Sequence, residues 1–264
     1  MKKVFSLILI VLMLVTSLAG CEKKESKNIN SLDRVKEAGK ISFGLDDSFP
    51  PMEYRDDKNN LVGFDIDLGN EIAKKLGVKA EFVTTDFNGI LLSLQSGKFD
   101  SILSTLSITD ERKKSIDFSE PYIMEGIIAV VKNGDSSIAG LQDLSRKVIA
   151  CQMGSTSEAA ASKIQGIKEL KKYDKITEAL HDLAIGRIDA VVVDELVGRY
   201  YISQKANDYK VLAGKLNDEP VGLGFKKEDK ELNAAVQKAI NDLKADGTLS
   251  NISKKWFGVD IYNK

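Results

Sequence analysis

Histidine and cysteine are nearly missing from this sequence: His181 is the one histidine, and Cys21 and Cys151 are the two cysteines. The usual zinc spacings need clusters of both, so no metal site is expected, and no cofactor. No Gly-x-x-x-x-Gly-Lys phosphate loop occurs, so ATP hydrolysis would belong to another subunit. An excess of one charge is missing too. Lys and Arg number 38 against 39 Asp and Glu, a formal net charge of -1. These charges alternate along the expected helices as solvated faces, and leave no footprint for nucleic acid. The apolar run at residues 4–15 is too short to span a bilayer comfortably.

What is there is 264 residues with 43% hydrophobic content, enough for a substantial core in one large domain or two smaller ones. The N-terminus has the layout of a processing signal: Lys2 and Lys3, the apolar run, then small residues. Leu18-Ala19-Gly20-Cys21 resembles the lipobox of bacterial lipoproteins. That resemblance implies a signal peptide over 1–20, cleavage before Cys21 and acylation of its sulfur. The alternative is an ordinary signal peptide with a chance cysteine. Residues 21–31 are expected to form a flexible tether, being polar and free of aromatics. With Cys21 lipidated, Cys151 has no partner and no disulfide is expected. It follows Val148-Ile149-Ala150 and reads as a buried strand residue.

The chain then alternates strand and helix. Residues 32–38 predict a helix stopped by Gly39, and 40–45 a strand ending in a loop with Pro50 and Pro51, which cannot continue a central strand. Residues 52–54 and 61–64 predict a hairpin, 65–76 a helix stopped by Gly77, 79–84 a strand, and 90–96 a helix. Such an order predicts a mostly parallel sheet covered by helices, with ligands outside the carboxyl ends of the strands. Phe49, Phe87 and Thr105 all fall at such ends.

The stretch 100–112 (DSILSTLSITDER) opens as a strand and then changes character. Ser104, Thr105, Ser107 and Thr109 place four hydroxyls within six residues. Alternation sends Thr105, Ser107 and Thr109 to one side and Leu106 and Ile108 to the other. Hydroxyls leading to Arg112 suit a small carboxylate, which a guanidinium can hold by both oxygens. The same residues also fit a polar loop in which Thr109 caps a helix beginning at Asp110. Residues 115–122 read as irregular, and 126–132 (GIIAVVK) as an apolar strand. Further on, 147–151 predicts a strand and 152–157 a loop opening a helix over 158–164, with Ser155 or Thr156 as its cap. Free N–H groups there also attract a carboxylate.

An internal echo points to two lobes. Residues 94–105 (LQSGKFDSILST) align with 183–194 (LAIGRIDAVVVD), which puts Thr105 and Asp194 at one register. A carboxylate on one lobe facing hydroxyls and an arginine on the other suits an amino acid zwitterion. Without the echo, Asp194 reads as a turn residue or the cap of the helix from 195 to 205. Strands are expected near 209–212 and over 221–225 (VGLGF), a helix over 230–245 and an amphipathic turn over 251–257. Trp256 is expected in core packing, and His181 on an outer helix face.

Taken in order, VGFDIDL (62–68), LSITDER (106–112), DFSEPY (117–122) and GRIDA (186–190) resemble the polar amino acid-binding proteins of ABC importers. The resemblance covers 32–259. It implies an α/β, two-lobed periplasmic-binding-protein-like fold of type II, with ligand in the cleft and two crossovers near 126–132 and 219–225. Lobe 1 would hold 32–126 and 225–264, and lobe 2 would hold 127–224. Arg112 would clamp the ligand α-carboxylate, assisted by Ser107 and by Ser155 and Thr156. Asp194, with Ser104 or Thr105, would hold the α-ammonium. Phe49 and Phe87 would sandwich the side chain. Asp46 and Glu53 flank Phe49 and would meet a distal cation, which favours arginine, lysine or histidine over glutamine or cystine. They also fit a loop brace and an exposed hairpin residue. The family's glutamine binders share DFNG (86–89) but tend to carry lysine where Gln152 stands. The implied partners are an ABC permease with its ATPase subunit and, through Cys21, the outer face of a bacterial cell membrane. A monomer is expected. An enzyme resembling cyclohexadienyl dehydratase, and a surface sensor or adhesin, are the competing readings.

Overall fold

Residues 30–263 are described by the structure, a computed structural model; the expectations for Cys21 and the rest of 1–29 lie outside them. Helix α1 (Ser31–Ala38) begins where the Asn30 side chain accepts the Asp33 N–H at 2.9 Å and ends at Gly39. Strand β1 (Lys40–Leu45) leads to a small antiparallel sheet of β2 (Ser48–Phe49), β3 (Glu53–Arg55) and β4 (Leu61–Val62). Helix α2 (Phe64–Leu76) starts one residue into the expected hairpin, because Gly63 at φ +142 turns the chain. A Cβ there would lie 2.0 Å from the Met52 carbonyl oxygen. Then come β5 (Lys79–Thr84), α3 (Ile90–Gln95), β6 (Ser101–Ile102), α4 (Asp110–Lys113) and β7 (Asp117–Phe118).

The second half holds β8 (Ile123–Lys132), β9 (Val148–Gln152), α5 (Thr156–Ala161), β10 (Glu169–Tyr173), α6 (Ile176–Ala184), β11 (Ala190–Asp194), α7 (Glu195–Gln204), β12 (Tyr209–Val211) and β13 (Asn217–Val221). Strand β14 (Gly224–Phe225), helix α8 (Lys230–Ala245) and helix α9 (Thr248–Phe257) complete it. One sheet has the order β5-β1-β6-β14-β7. The other runs β10-β9-β11-β8-β12, with β13 pairing the start of β8. The strands β1, β5 and β6 are mutually parallel, as are β9, β10 and β11.

The echo has a physical meaning. Asp100 accepts the Ser42 N–H at 2.9 Å, and Asp189 accepts the Val148 N–H at 2.7 Å. Each aspartate ties the strand it precedes to the parallel strand beside it, β1 or β9. Each follows a helix-terminating glycine of positive φ, Gly97 or Gly186. The repeat therefore delivers Thr105 and Asp194 to corresponding edges of two sheets.

Four expectations change. Residues 126–132 are not a crossover. They belong to β8, which pairs with β11, β12 and β13 and is apolar throughout because both its faces are covered: Ile127, Ala129 and Val131 on one side, Ile128 and Val130 on the other. The chain passes between the sheets earlier, between Phe118 and Ile123. The expected strand 221–225 is two strands. Val221 ends β13 on the second sheet, Gly224 opens β14 on the first, and the return passage lies between them. Residues 117–118 form a strand within the segment read as irregular, and β10 was not anticipated, because Glu169–Tyr173 is rich in lysine and lies at a sheet edge. Finally, alternation fails after Ile102. The strand stops there, and Thr105 takes φ +46.

Candidate functional site

That break at Thr105 builds one wall of a cavity. With the backbone turned, Ser104 and Thr105 project together: Ser104 Oγ donates to Glu53 Oε1 at 2.9 Å, and Thr105 Oγ1 to Glu53 Oε2 at 3.3 Å. Leu106 is driven the other way, into a cluster with Ile102 and Ile116. The cavity is narrow, with about 10 Å³ of water-accessible space, and is lined by Asp46, Phe49, Glu53, Phe87, Ser104, Thr105, Ser107, Gln152, Ser155, Thr156 and Asp194. The first seven come from the side of the β1 sheet and the last four from the side of the β9 sheet. Larger grooves occur on the outer surface, one with about 550 Å³ of water-accessible space beside Lys163 and Leu216, but they are open to solvent and gather no such set of groups.

Direct contacts join the two sides. Ser107 Oγ and Thr156 Oγ1 are 3.1 Å apart. Gln152 Nε2 donates to Asp46 Oδ2 and, at 3.0 Å, to the Asp174 carbonyl. Arg112 Nη1 donates to the Ser107 carbonyl at 2.8 Å and Nη2 to the Gly154 carbonyl at 3.2 Å. The guanidinium therefore lies behind Ser107, 5.6 Å from the centre of the Phe87 ring, and Arg112 is not among the residues lining the cavity. At the rim, Lys175 approaches Asp47 at 3.6 Å, and the Tyr54 and Tyr200 rings are 6.1 Å apart.

The cavity wall is acidic. Asp46 is 3% exposed and Glu53 0%. Burial raises Asp46 from its ordinary value, although the Ser48 hydroxyl donates to it at 2.7 Å. Burial, and then the charge of Asp65, pushes Glu53 well above its ordinary value. Asp65 sits behind Glu53. It accepts the Thr105 N–H at 2.9 Å and the Tyr122 hydroxyl at 2.9 Å to each oxygen, and burial still lifts it to about 6. Across the cavity, Asp194 accepts the Ser157 hydroxyl at 3.0 Å, and burial pushes it up to about 7. Arg112 is held below its ordinary value by burial, against the pull of Glu219 and Asp194. Three carboxyls thus face one small space without a lysine or arginine among its lining residues, an arrangement that suits a cationic guest.

Ten of the eleven anticipated ligand-binding residues meet at this cavity, with Arg112 one layer back. Ser155 serves as the cap of α5, accepting the Glu158 N–H at 3.1 Å. The sequence reading left out Gln152 and Asp65. Gln152 ends a parallel strand, so the strand-end rule that found Thr105 applies to it equally. Asp65 looks like an ordinary acidic residue in the first turn of a helix, and only its 0% exposure separates it from Asp67. Cys151 is buried with its thiol pushed up to about 12 by burial, and His181 is exposed on α6. Trp256 donates to Asp67 at 2.7 Å and lies edge-on to Tyr54, outside the cavity. Among the described residues no group of His, Cys, Asp and Glu is arranged to hold a metal ion.

The protein belongs to the bacterial extracellular solute-binding proteins, family 3, whose model matches residues 41–259. Its fold is the two-lobed, type II periplasmic-binding-protein α/β fold. It is 35% identical over 252 residues to the L-cystine-binding protein TcyJ of Escherichia coli K12, covering 94% of each chain. It is also 35% identical over 231 residues to the lysine/arginine/ornithine-binding periplasmic protein of the same strain, covering 84% of this chain and 89% of that one. Among solved structures, an ancestral arginine-binding protein bound to arginine is 44% identical with a TM-score of 0.80, covering 83% of this chain and 99% of its own. All three relatives are named as binding proteins.

Proposed function

We propose that the protein captures a basic L-amino acid (arginine, lysine or histidine) between its lobes and delivers it to an ABC permease driven by a separate ATPase subunit. The observation that carries this reading is the cavity itself, with Asp46, Glu53 and Asp194 on its wall and no basic side chain among its lining residues. In this reading Asp194 takes the α-ammonium with Thr105, while Arg112, Ser107 and the helix start at Ser155 and Thr156 take the α-carboxylate. Phe49 and Phe87 flank the side chain, and Asp46 and Glu53 meet its distal cation. Cystine binding draws support from the first relative named above. Cystine would also bring a second ammonium to Asp46 and Glu53, but its second carboxylate would find no basic side chain among the lining residues.

The carboxyls are ligand partners rather than catalytic acids, so the protein is not an enzyme. Lobe 1 comprises 32 to about 122 and about 223 to 264, and lobe 2 comprises the residues between, with the strand passages described above as the links. The chain works as a monomer on the extracytoplasmic face, tethered through lipid on Cys21 after removal of 1–20. The test is a thermal-shift screen of the full-length protein, refolded to remove bound ligand, against the twenty amino acids, cystine and ornithine. The expected result is a rise in Tm with basic amino acids that is lost in Arg112→Ala and Asp194→Ala. A ligand at a hundredfold excess over Kd adds about 2.7 kcal/mol. No response to any of them would overturn the amino acid reading, and a response to glutamine or cystine alone would overturn the roles given to Asp46 and Glu53.

A further inference from the structure

Behind Asp194 lies a polar group that the binding scheme leaves unused. Glu125 is on β8, 5% exposed, and neither of its carboxyl oxygens has a hydrogen-bond donor. The sheet register explains its neighbours. Glu125 is directly opposite Glu219 on β13, and Asp194 is directly opposite Ile127, two residues along β8. Directly paired residues and residues two apart share one face of a sheet. Glu125, Glu219 and Asp194 therefore project to the same side. Glu219 is also 5% exposed; Asn217 donates to one of its oxygens at 2.9 Å and the other has no partner. Strand β8 begins where the chain enters the second sheet and β13 ends where it leaves, so the Glu125–Glu219 pair stands at the passage between lobes.

Three buried carboxyls share this space with Arg112, whose charge acts on Glu219 and then on Asp194, and Lys163 lines the surface groove that reaches Glu219. The other charged groups near β8 are engaged elsewhere. Glu195 on α7 pairs with Arg199 and Lys215, Glu158 on α5 pairs with Lys172, and Lys210 on β12 stands opposite Val131 near the far end of β8. On α6, Asp182 pairs with Arg187. The Leu196 N–H is near Glu125 without meeting hydrogen-bond geometry. Asp194 lies on the same sheet face as Glu125 and its charge bears on it, and two carboxyls can share a hydrogen bond only if one carries a proton. Burial, and then the Asp194 charge, raises Glu125 well above the carboxylate range, in keeping with Glu125 as the protonated member.

We propose that Glu125 is a positioning residue that stays the neutral acid and donates a hydrogen bond to Asp194, and that amino acid capture expels one proton from this cluster. The inference rests on the reading of Asp194 as the ammonium partner. Before capture Glu125 and Asp194 each carry a proton; on capture Asp194 gives its proton to the buffer and becomes the ionised partner of the ligand ammonium, while Glu125 keeps its own proton and donates a hydrogen bond to the Asp194 carboxylate.

Calorimetry of the full-length protein with arginine at pH 6, in buffers of different ionisation enthalpy, reads this directly. The expected result is release of close to one proton per arginine, with affinity falling about tenfold per pH unit below the midpoint. Glu125→Gln keeps a donor at the same place, so its affinity and proton release stay within about threefold of the parent. Glu125→Leu removes that donor and moves the midpoint to higher pH, weakening binding about tenfold at pH 6.5 but less than threefold at pH 8.5. A purely structural defect would weaken binding equally at both. Heats independent of the buffer would overturn the proposal while leaving amino acid binding intact. Loss of affinity in Glu125→Gln equal to that in Glu125→Leu would also overturn it. If Glu125→Leu fails to fold, the buffer series and Glu125→Gln still decide. No binding heat with any amino acid would overturn the functional reading, and this inference with it.

Discussion

Replacing Glu53 with glutamine separates ligand recognition from folding. Glu53 is fully buried beside Asp65 and is held toward its neutral form. Glutamine copies that form, since its oxygen can accept from Ser104 and its amide can donate toward Asp65. Ligand-free stability is therefore expected to change little, with Tm within about 2 °C at pH 7. Binding is a different matter, because a distal cation gains most from an ionised partner. Removing one member of a buried pair costs ~3–5 kcal/mol in general. Here part of that attraction already goes into ionising Glu53, so the net loss is expected to be about 2–3 kcal/mol, a rise in Kd of roughly 30- to 150-fold. Titration calorimetry with arginine, and with glutamine as a neutral control, measures both. The arginine-to-glutamine preference should collapse. Arginine affinity within threefold of the parent, or an equal loss for both ligands, would refute the assignment of Glu53 to the distal cation.

Gln152→Lys brings an ammonium onto Asp46. It should lower arginine affinity at least tenfold in calorimetry while sparing neutral ligands, since the introduced charge takes the partner that the guest would use. Gly154→Ala should raise Kd several-fold for every ligand alike. A Cβ there would stand 3.0 Å from Asn88 Oδ1 and 3.1 Å from Asn88 Cα, in the contact between lobes, at a φ of +76 where a side chain adds ~1–2 kcal/mol of strain. Ligand-free stability should decline with rising pH because of the buried carboxyls. Asp65 has its folded value raised from 3.8 to about 6, so its contribution is complete below about pH 4 and lost as pH passes through 6, on the order of 3 kcal/mol. Asp194 behaves alike through about pH 7, so urea midpoints of Asp194→Asn should lack the part of the decline near neutrality.

Much of this molecule was legible in residues 94–105 and 183–194. The aspartates at 100 and 189 act through hydrogen bonds to a neighbouring strand, and the glycines at 97 and 186 end helices, so both halves had to keep these residue types at one spacing. Strand ends carried the ligand-facing residues for an equally general reason: in a sheet covered by helices, backbone and side chains are free at its carboxyl edge. That is how Phe49, Phe87 and Thr105 could be named from local patterns.

Local patterns decided less where partners are remote. The apolar run at 126–132 would suit any buried strand, and only its pairing with β11, β12 and β13 assigned it to the second sheet. The residues 221–225 looked continuous, yet Val221 and Gly224 answer to different sheets. Asp65 and Asp67 are indistinguishable in a helix's first turn; folding buries one behind Glu53 and gives the other to Lys255 and Trp256 at the surface. Residue types and their spacing determined the two-lobed fold, the repeat and most of the residues that meet at the cavity, because these depend on neighbours in sequence. The tertiary structure alone decided the charge balance there, setting Arg112 behind Ser107 and gathering Glu125, Glu219 and Asp194 on one face, because protonation depends on burial and on charges far away along the chain.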